Sequence, residues 1–350
     1  MATRKPDLNR RRLLAGLTAL GGISSAVRIG LGAGSALLAG ATGAQNRAVT
    51  DRGTYLVLLG TQGGPNVNAV RNQCSNAIVI DGKVYMIDCG YGSMGALNES
   101  GLGLRSVDNI FLTHLHDDHT SDLVALLSHQ WTLTRTEPTA VIGPFGTSRL
   151  VDAALDFASA NAEIRLADEA RSVQLEDLFS GLDIEASTNP TEVYSDDRVT
   201  VTSVENTHFP LSARQKVPYR AVSYRFDSRD RSITISGDTA PSDNLVRLAE
   251  GSDVFVCETI NEAPARADFE RRVAAGAYAD NPEGVWKHIV ETHTNTEDAG
   301  RMATQAGVGT LVLTHLVPGT ITENSDSLFL EGARRHFDGE IIVGRDLMVI

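Results

Sequence analysis

The feature that most limits what this chain can become is the run His114-Leu115-His116-Asp117-Asp118-His119. It follows an apolar strand pattern over Asn109–Thr113 and precedes a helical one over Ser121–His129, with apolar residues at 123, 124, 126 and 127. A fold must therefore end a buried strand at a densely polar loop. Neutral imidazole and carboxylate are the usual ligands of zinc. The i, i+2 spacing sets His114 and His116 side by side in an extended turn. Asp118 and His119 come from the next turn, where the chain enters a helix, and so can face a different ion. One loop can thus serve two metals. With nine histidines in 350 residues, three in one six-residue window is a poor match to a chance surface cluster.

Two metals need further ligands, and the second half offers them. His208 follows a strand pattern in Asn206-Thr207-His208-Phe209-Pro210, Asp238 sits in the tight turn Ser236-Gly237-Asp238-Thr239, and His315 ends a strand. Alone, each is more often structural, and an aspartate beside glycine is usually a turn former. Together they terminate buried-looking strands, as the first motif does. The carboxylate of Asp238 can bridge two ions about 4 Å apart. His293 precedes Thr294-Asn295-Thr296, whose side chains suit a helix N-cap. It reads equally as a helix-entry residue and as a proton donor. His129, His288 and His336 lie in helical patterns and read as structural or exposed.

Around these residues, short β-branched runs alternate with helical patterns. Strands are expected at Thr54–Leu59, Asn76–Ile80, Val84–Asp88, Val199–Val204, Ala221–Phe226, Ser232–Ser236, Asp253–Cys257 and Thr310–Thr314. Helices are expected at Phe145–Ala160, Pro241–Glu250 and Thr296–Ala306. Asp81-Gly82-Lys83 between two apolar runs is a hairpin signal. Phe111-Leu112-Thr113-His114-Leu115 is echoed by Val312-Leu313-Thr314-His315-Leu316, which suggests two similar halves meeting at one site. Ala162–Asp197 holds ten acidic and two basic residues, and reads as an irregular exposed crossing between halves. The whole describes one α/β domain with two packed sheets.

Residues 1–44 read as an export signal and 45–350 as the functional domain. Arg10-Arg11-Arg12-Leu13-Leu14 opens a Gly/Ala-rich apolar stretch interrupted by Arg28 and repeated glycines, too broken for a membrane anchor. Paired arginines before Leu-Leu resemble a twin-arginine signal, which implies a periplasmic or secreted protein with no membrane attachment after removal. The chain carries a net charge of -13, and aromatics make up 5% of it. Neither property favours a polyanion partner. Cys74, Cys89 and Cys257 form no CxxC spacing, and Cys89 reads as a buried structural thiol.

From Thr54 to its end the chain resembles the metallo-β-lactamase fold superfamily, within it the ribonuclease Z / arylsulfatase-like branch. The motifs are Leu59-Gly60-Thr61, Asp88-Cys89-Gly90, Thr113 to His119, the His208 segment, Ser236 to Thr239, His293-Thr294-Asn295-Thr296 and Thr314-His315-Leu316. The resemblance implies a four-layer αββα sandwich. It implies one metal on His114, His116 and His208, and another on Asp118, His119 and His315. Asp238 and a hydroxide would bridge them. The ions would be zinc, with manganese or iron as alternatives. It further implies that Asp88 supports the ligands from behind, Asp118 orients the nucleophile and His293 assists at the leaving oxygen.

Within that branch the sequence favours an exported hydrolase of a small-molecule phosphodiester or sulfate ester. Lactonases, carboxylesterases and thioesterases of the same fold are the alternative, and a non-catalytic metal-binding protein would be expected to have lost ligands. A β-lactamase fits less well because of Asp238. Transfer-RNA 3′ processing is disfavoured by the acidic Ala162–Asp197 stretch, by export, and by the absence of a basic arm. The expected partner is a small molecule and not a nucleic acid. The oligomeric state stays open, a homodimer among the possibilities. Gly63-Gly64-Pro65 and Gly143-Pro144-Phe145-Gly146-Thr147 are expected to lie over the site.

Overall fold

Thirteen strands, β1 to β13, divide between two sheets in a computed structural model that describes residues 53–320 and 326–350. The export signal expected at 1–44 lies outside the described residues. The first sheet runs in chain order: β1 (Thr54–Gly60), β2 (Ser75–Ile80), β3 (Lys83–Ile87), β4 (Val107–Phe111), β5 (Thr139–Pro144) and β6 (Phe179–Ile184). The second holds β7 (Thr191–Ser195), β8 (Val199–Glu205), β9 (Val222–Ser228), β10 (Ser232–Ile235), β11 (Val254–Ile260), β12 (Thr310–Val317) and β13 (Glu340–Val343), also in chain order. Each sheet begins as an antiparallel meander and continues in parallel strands. The two halves expected from the echoed Thr-His-Leu motif are thus real at the level of topology.

The β2–β3 hairpin turns where the sequence places it. Asp81 and Gly82 have φ of 47° and 82°, the left-handed pair that matches strand twist. Between the sheets, Leu58, Ile78, Ile87, Val201, Val222 and Val256 form a buried layer around Phe111 and Phe226, whose rings meet edge to face at 5.1 Å. Outside, the helices Leu123–Thr132 and Thr147–Asp168 cover the first sheet, while Asp243–Ala249, Thr296–Ala306 and Asp326–Arg334 pack in the apolar cluster outside the second. This is the four-layer αββα sandwich.

One expectation fails. Ala162–Asp197 is no irregular crossing: it completes the long helix to Asp168, then forms β6 and β7. These are the edge strands of their sheets, and most of their residues are partly or fully exposed. Edge strands are commonly charged, which blocks further pairing. Acidity there marked an edge and concealed the strands. Among the described residues no helix is long and apolar enough to cross a membrane.

Candidate metal centre

The strands of both sheets, parallel ones for the most part and the antiparallel β8 among them, deliver the polar residues from their carboxyl ends, where open α/β sheets bind ligands. After β4 come His114 and His116, then Asp118 and His119 in the short helix Asp117–Thr120. His208 follows β8, Asp238 follows β10, Glu258 lies within β11, and His315 lies within β12. His293 caps the carboxyl end of the helix Pro282–Thr292. The structure therefore brings together all seven expected ligands.

They form two adjoining sets. In the first, Nδ1 of His116 stands 3.0 Å from Nε2 of His114 and 3.2 Å from Nε2 of His208. Burial pushes all three imidazoles below their ordinary pKa, so they are neutral. One Nδ1 can donate a proton to only one of its two neighbours. The other contact sets lone pair against lone pair, an arrangement that a shared cation relieves. In the second set, one donor atom from each of Asp118, His119, Asp238 and His315 lies within 4.8 Å of the others. Nε2 of His119 and Oδ1 of Asp238 are buried 3.2 Å apart, with no hydrogen-bond partner among the described residues. Such orphaned groups are costly unless something else satisfies them. The donor set and these orphans fit two divalent ions.

Asp238 joins the sets. Its Oδ1 lies 3.2 Å from His119 and 3.1 Å from His315, while Oδ2 faces His114 at 3.9 Å. Burial opposes charge on His119 and His315, but the surrounding carboxylates outweigh it and hold both imidazoles well above the usual range. Burial likewise opposes charge on Asp118, yet His119 and His315 bring it to about 2.

Supporting contacts fix the ligands. Asp88, fully buried at φ 59°, accepts from the Thr113 N–H at 2.8 Å, the Thr113 hydroxyl at 2.9 Å and Nδ1 of His119 at 2.8 Å. His208 donates through Nδ1 to the carbonyl of Thr292. The Gly64 N–H donates to Oδ2 of Asp118 at 3.0 Å. A Cβ on Gly63 would meet His315 Nδ1 at 2.4 Å, so only glycine fits there.

Two participants escaped the sequence reading. Glu258 is 1% exposed, and both its oxygens lie 3.0 Å from Nδ1 of His293. Burial works against charge on His293, but Glu258 and then Asp238 raise its pKa above the ordinary value. Only its place at the end of a strand pattern, one residue past Cys257, could have flagged Glu258. His288, set aside as structural or exposed, is half-buried with its ring centroid 5.4 Å from that of His208, and burial lowers its pKa to about 4. His129 and His336 bond outside the cluster, to the Ala125 carbonyl and Glu297. Arg71 also points away, to Thr61 and the Gly344 carbonyl. All three cysteines are buried and unpaired. Gly63, Gly64 and Pro65 line the metal-ligand cavity, and Gly146 lines its neighbour.

The family model described as "Anti-Pycsar protein Apyc1" matches residues 54–263. The ribonuclease Z of Mycobacterium avium (strain 104) is 30% identical over 297 residues, covering 83% of this chain and 96% of that protein. Human tRNase Z, short form, superposes with a TM-score of 0.58 at 19% identity, covering 85% of this chain and 98% of that one. The metallo-β-lactamase fold protein YhfI from Bacillus subtilis gives 0.57 at 18% identity, covering 85% and 98%. The relatives' name overturns two expectations, a small-molecule ester substrate and the exclusion of nucleic acid. The physical error lies in scale. Phosphate contacts are local, so a net charge of -13 over the chain does not decide them. The acidic stretch held against RNA is a helix end and two sheet edges.

Proposed function

This chain belongs to the family described as anti-Pycsar protein Apyc1 and to the ribonuclease Z-like metal-dependent hydrolases of the metallo-β-lactamase fold, and on that premise we propose that it hydrolyses phosphodiester bonds in RNA, transfer-RNA precursors first among them. The observation that carries this reading is Asp238 standing between two ligand sets, with the His293–Glu258 pair beside it. Held by His114, His116 and His208 on one side and by Asp118, His119 and His315 on the other, with Asp238 between, two divalent ions, zinc by donor chemistry, would supply Lewis acidity and a water ionised near neutral pH.

The chain's own residues do the rest. Asp118 lines the cavity and orients the attacking water, its Oδ2 fixed by the Gly64 N–H. Glu258 accepts from Nδ1–H of His293 and favours its imidazolium form, in which Nε2 carries a second proton that is offered to the leaving ribose oxygen. Thr294 donates to the Thr239 carbonyl at 2.6 Å and Asn295 caps the helix Thr296–Ala306, so the segment carrying His293 is anchored on both sides. A local cationic rim supports an RNA substrate. Arg149 and Lys216 are exposed, and Arg214 and Arg220 lie near them, paired with Glu205. The test is a 3′-extended transfer-RNA precursor incubated with zinc- or manganese-loaded protein. One defined cut, lost in His293→Ala, is expected; RNA left intact at full metal occupancy overturns the reading.

Export by the twin-arginine route is a separate proposal, resting on Arg10-Arg11-Arg12-Leu13-Leu14 and the Gly/Ala-rich apolar stretch that follows it. Fractionation of cells expressing the full chain decides it: recovery wholly in the cytoplasm counts against it.

A further inference from the structure

Beside the metal-ligand cavity, of about 270 Å³, lies a larger one of about 650 Å³, and His116 and His288 line both. We propose that the larger cavity seats the nucleobase of a nucleotide flanking the scissile phosphate, held by stacking on Phe209 and Tyr219. This rests on the RNA-cleaving reading above.

The cavity has the size of a small-molecule site. Its walls are mainly apolar, with Leu115, Leu150 and Val217 beside the two aromatics. The Phe209 ring centroid stands 5.3 Å from that of His116 and 5.0 Å from that of His208, so a base stacked there sits directly beside the metal ligands. One nucleotide can then span both cavities, its phosphate among the ligands and its base on Phe209. Tyr219 is set in place by Gly146, whose φ is 102°: a Cβ there would lie 2.8 Å from the tyrosine ring and 3.0 Å from Leu115. Phe145, half-exposed, packs its ring 5.9 Å from Tyr219 and extends the aromatic surface toward solvent. Arg149 on the same wall, with no ion pair among the described residues, supplies a cation for the next phosphate. Flat aromatic walls with one cation suit a nucleotide. Few polar groups converge to read base edges, so stacking should tolerate any base.

The experiment uses metal-loaded full-length protein and RNAs that carry either a base or an abasic residue on each side of the cut. Wild type should lose about tenfold or more in kcat/KM when the base is missing at one of the two flanks, chiefly through KM. Phe209→Leu, which keeps packing but removes the aromatic face, and Tyr219→Ala should lose a similar factor on normal RNA and show little further abasic penalty. If Phe209→Leu loses metal through its neighbour His208, Tyr219→Ala decides alone. Equal cleavage of abasic and normal RNA by wild type, or variants that keep the full abasic penalty, would overturn the proposal. If wild type cuts no RNA at all, the functional reading has failed, and the cavity is judged by AMP binding in NMR titration. Binding weakened by Tyr219→Ala supports it; no binding to wild type overturns it.

Discussion

The two halves of the metal centre are made of unlike chemistry. His114, His116 and His208 are imidazoles alone, and burial leaves them neutral, lone pairs facing inward. Asp118, His119, Asp238 and His315 interleave carboxylates with imidazoles, which hold one another charged against the same burial. The second set therefore places carboxylates among its imidazoles, whereas the first has no carboxylate among its three donors. The supports differ as well. Behind His119 stands the buried carboxylate of Asp88, and behind His208 only the Thr292 carbonyl. The lesson is that one loop, His114–His119, feeds two sites whose stability has different physical origins.

Four substitutions break or sharpen that comparison. Asp238→Asn strikes both halves at once. Losing the bridging charge should cost about 4 kcal/mol in the transition state, roughly a thousandfold in kcat, and one of the two metals; steady-state kinetics with metal analysis checks both. His293→Ala leaves both halves intact. It should lower kcat about a hundredfold with metal content unchanged, and Glu258→Gln should lose much of the same factor, because it acts through the same imidazole. Asp88→Asn touches the second half directly through His119 and the first only through the Thr113 hydroxyl beside His114. Metal affinity of the second half should fall by a factor of about 10 to 100, read by chelator competition, with the first half's affinity falling less.

The smallest effect is expected outside the centre. Asp196, in the turn between β7 and β8, accepts from Lys83 at 2.9 Å, Tyr85 at 2.6 Å and Tyr194 at 2.9 Å, tying the second sheet to β3 of the first. Burial opposes its charge, but these bonds and backbone N–H donors outweigh it and depress its pKa. A depressed carboxylate stabilises the fold above its unfolded pKa of about 3.9, and that contribution is lost as pH falls below it. Asp196→Asn should cost about 1 kcal/mol at pH 7, leave kcat unchanged, and converge with wild type in acid. A gap in denaturant midpoint that does not narrow as pH falls through about 4 and below would contradict the assignment.

Much of this was legible because residue type and spacing carried it. His114–His119 stood out as a donor-rich loop, and His208, Asp238 and His315, picked out because they end strand patterns, are gathered around it. The Asp81-Gly82 turn appeared as read. Other features left no local trace. Glu258 looks like any acid at a strand end until folding buries it against His293, and His288 sits in a helical pattern that hides its approach to His208. β6 and β7 were concealed because edge strands carry the charge that argues for loops. Substrate was misjudged for a related reason: total charge is a sum, while phosphate contacts are made locally by a few side chains.

Native mass spectrometry of the full chain titrated with zinc tests the central claim, that two unlike ligand sets form one dinuclear centre, most directly. The account predicts two ions per chain, with His208→Ala losing one and keeping the ion held by Asp118, His119 and His315. Saturation at a single ion, or loss of both in His208→Ala, would contradict it.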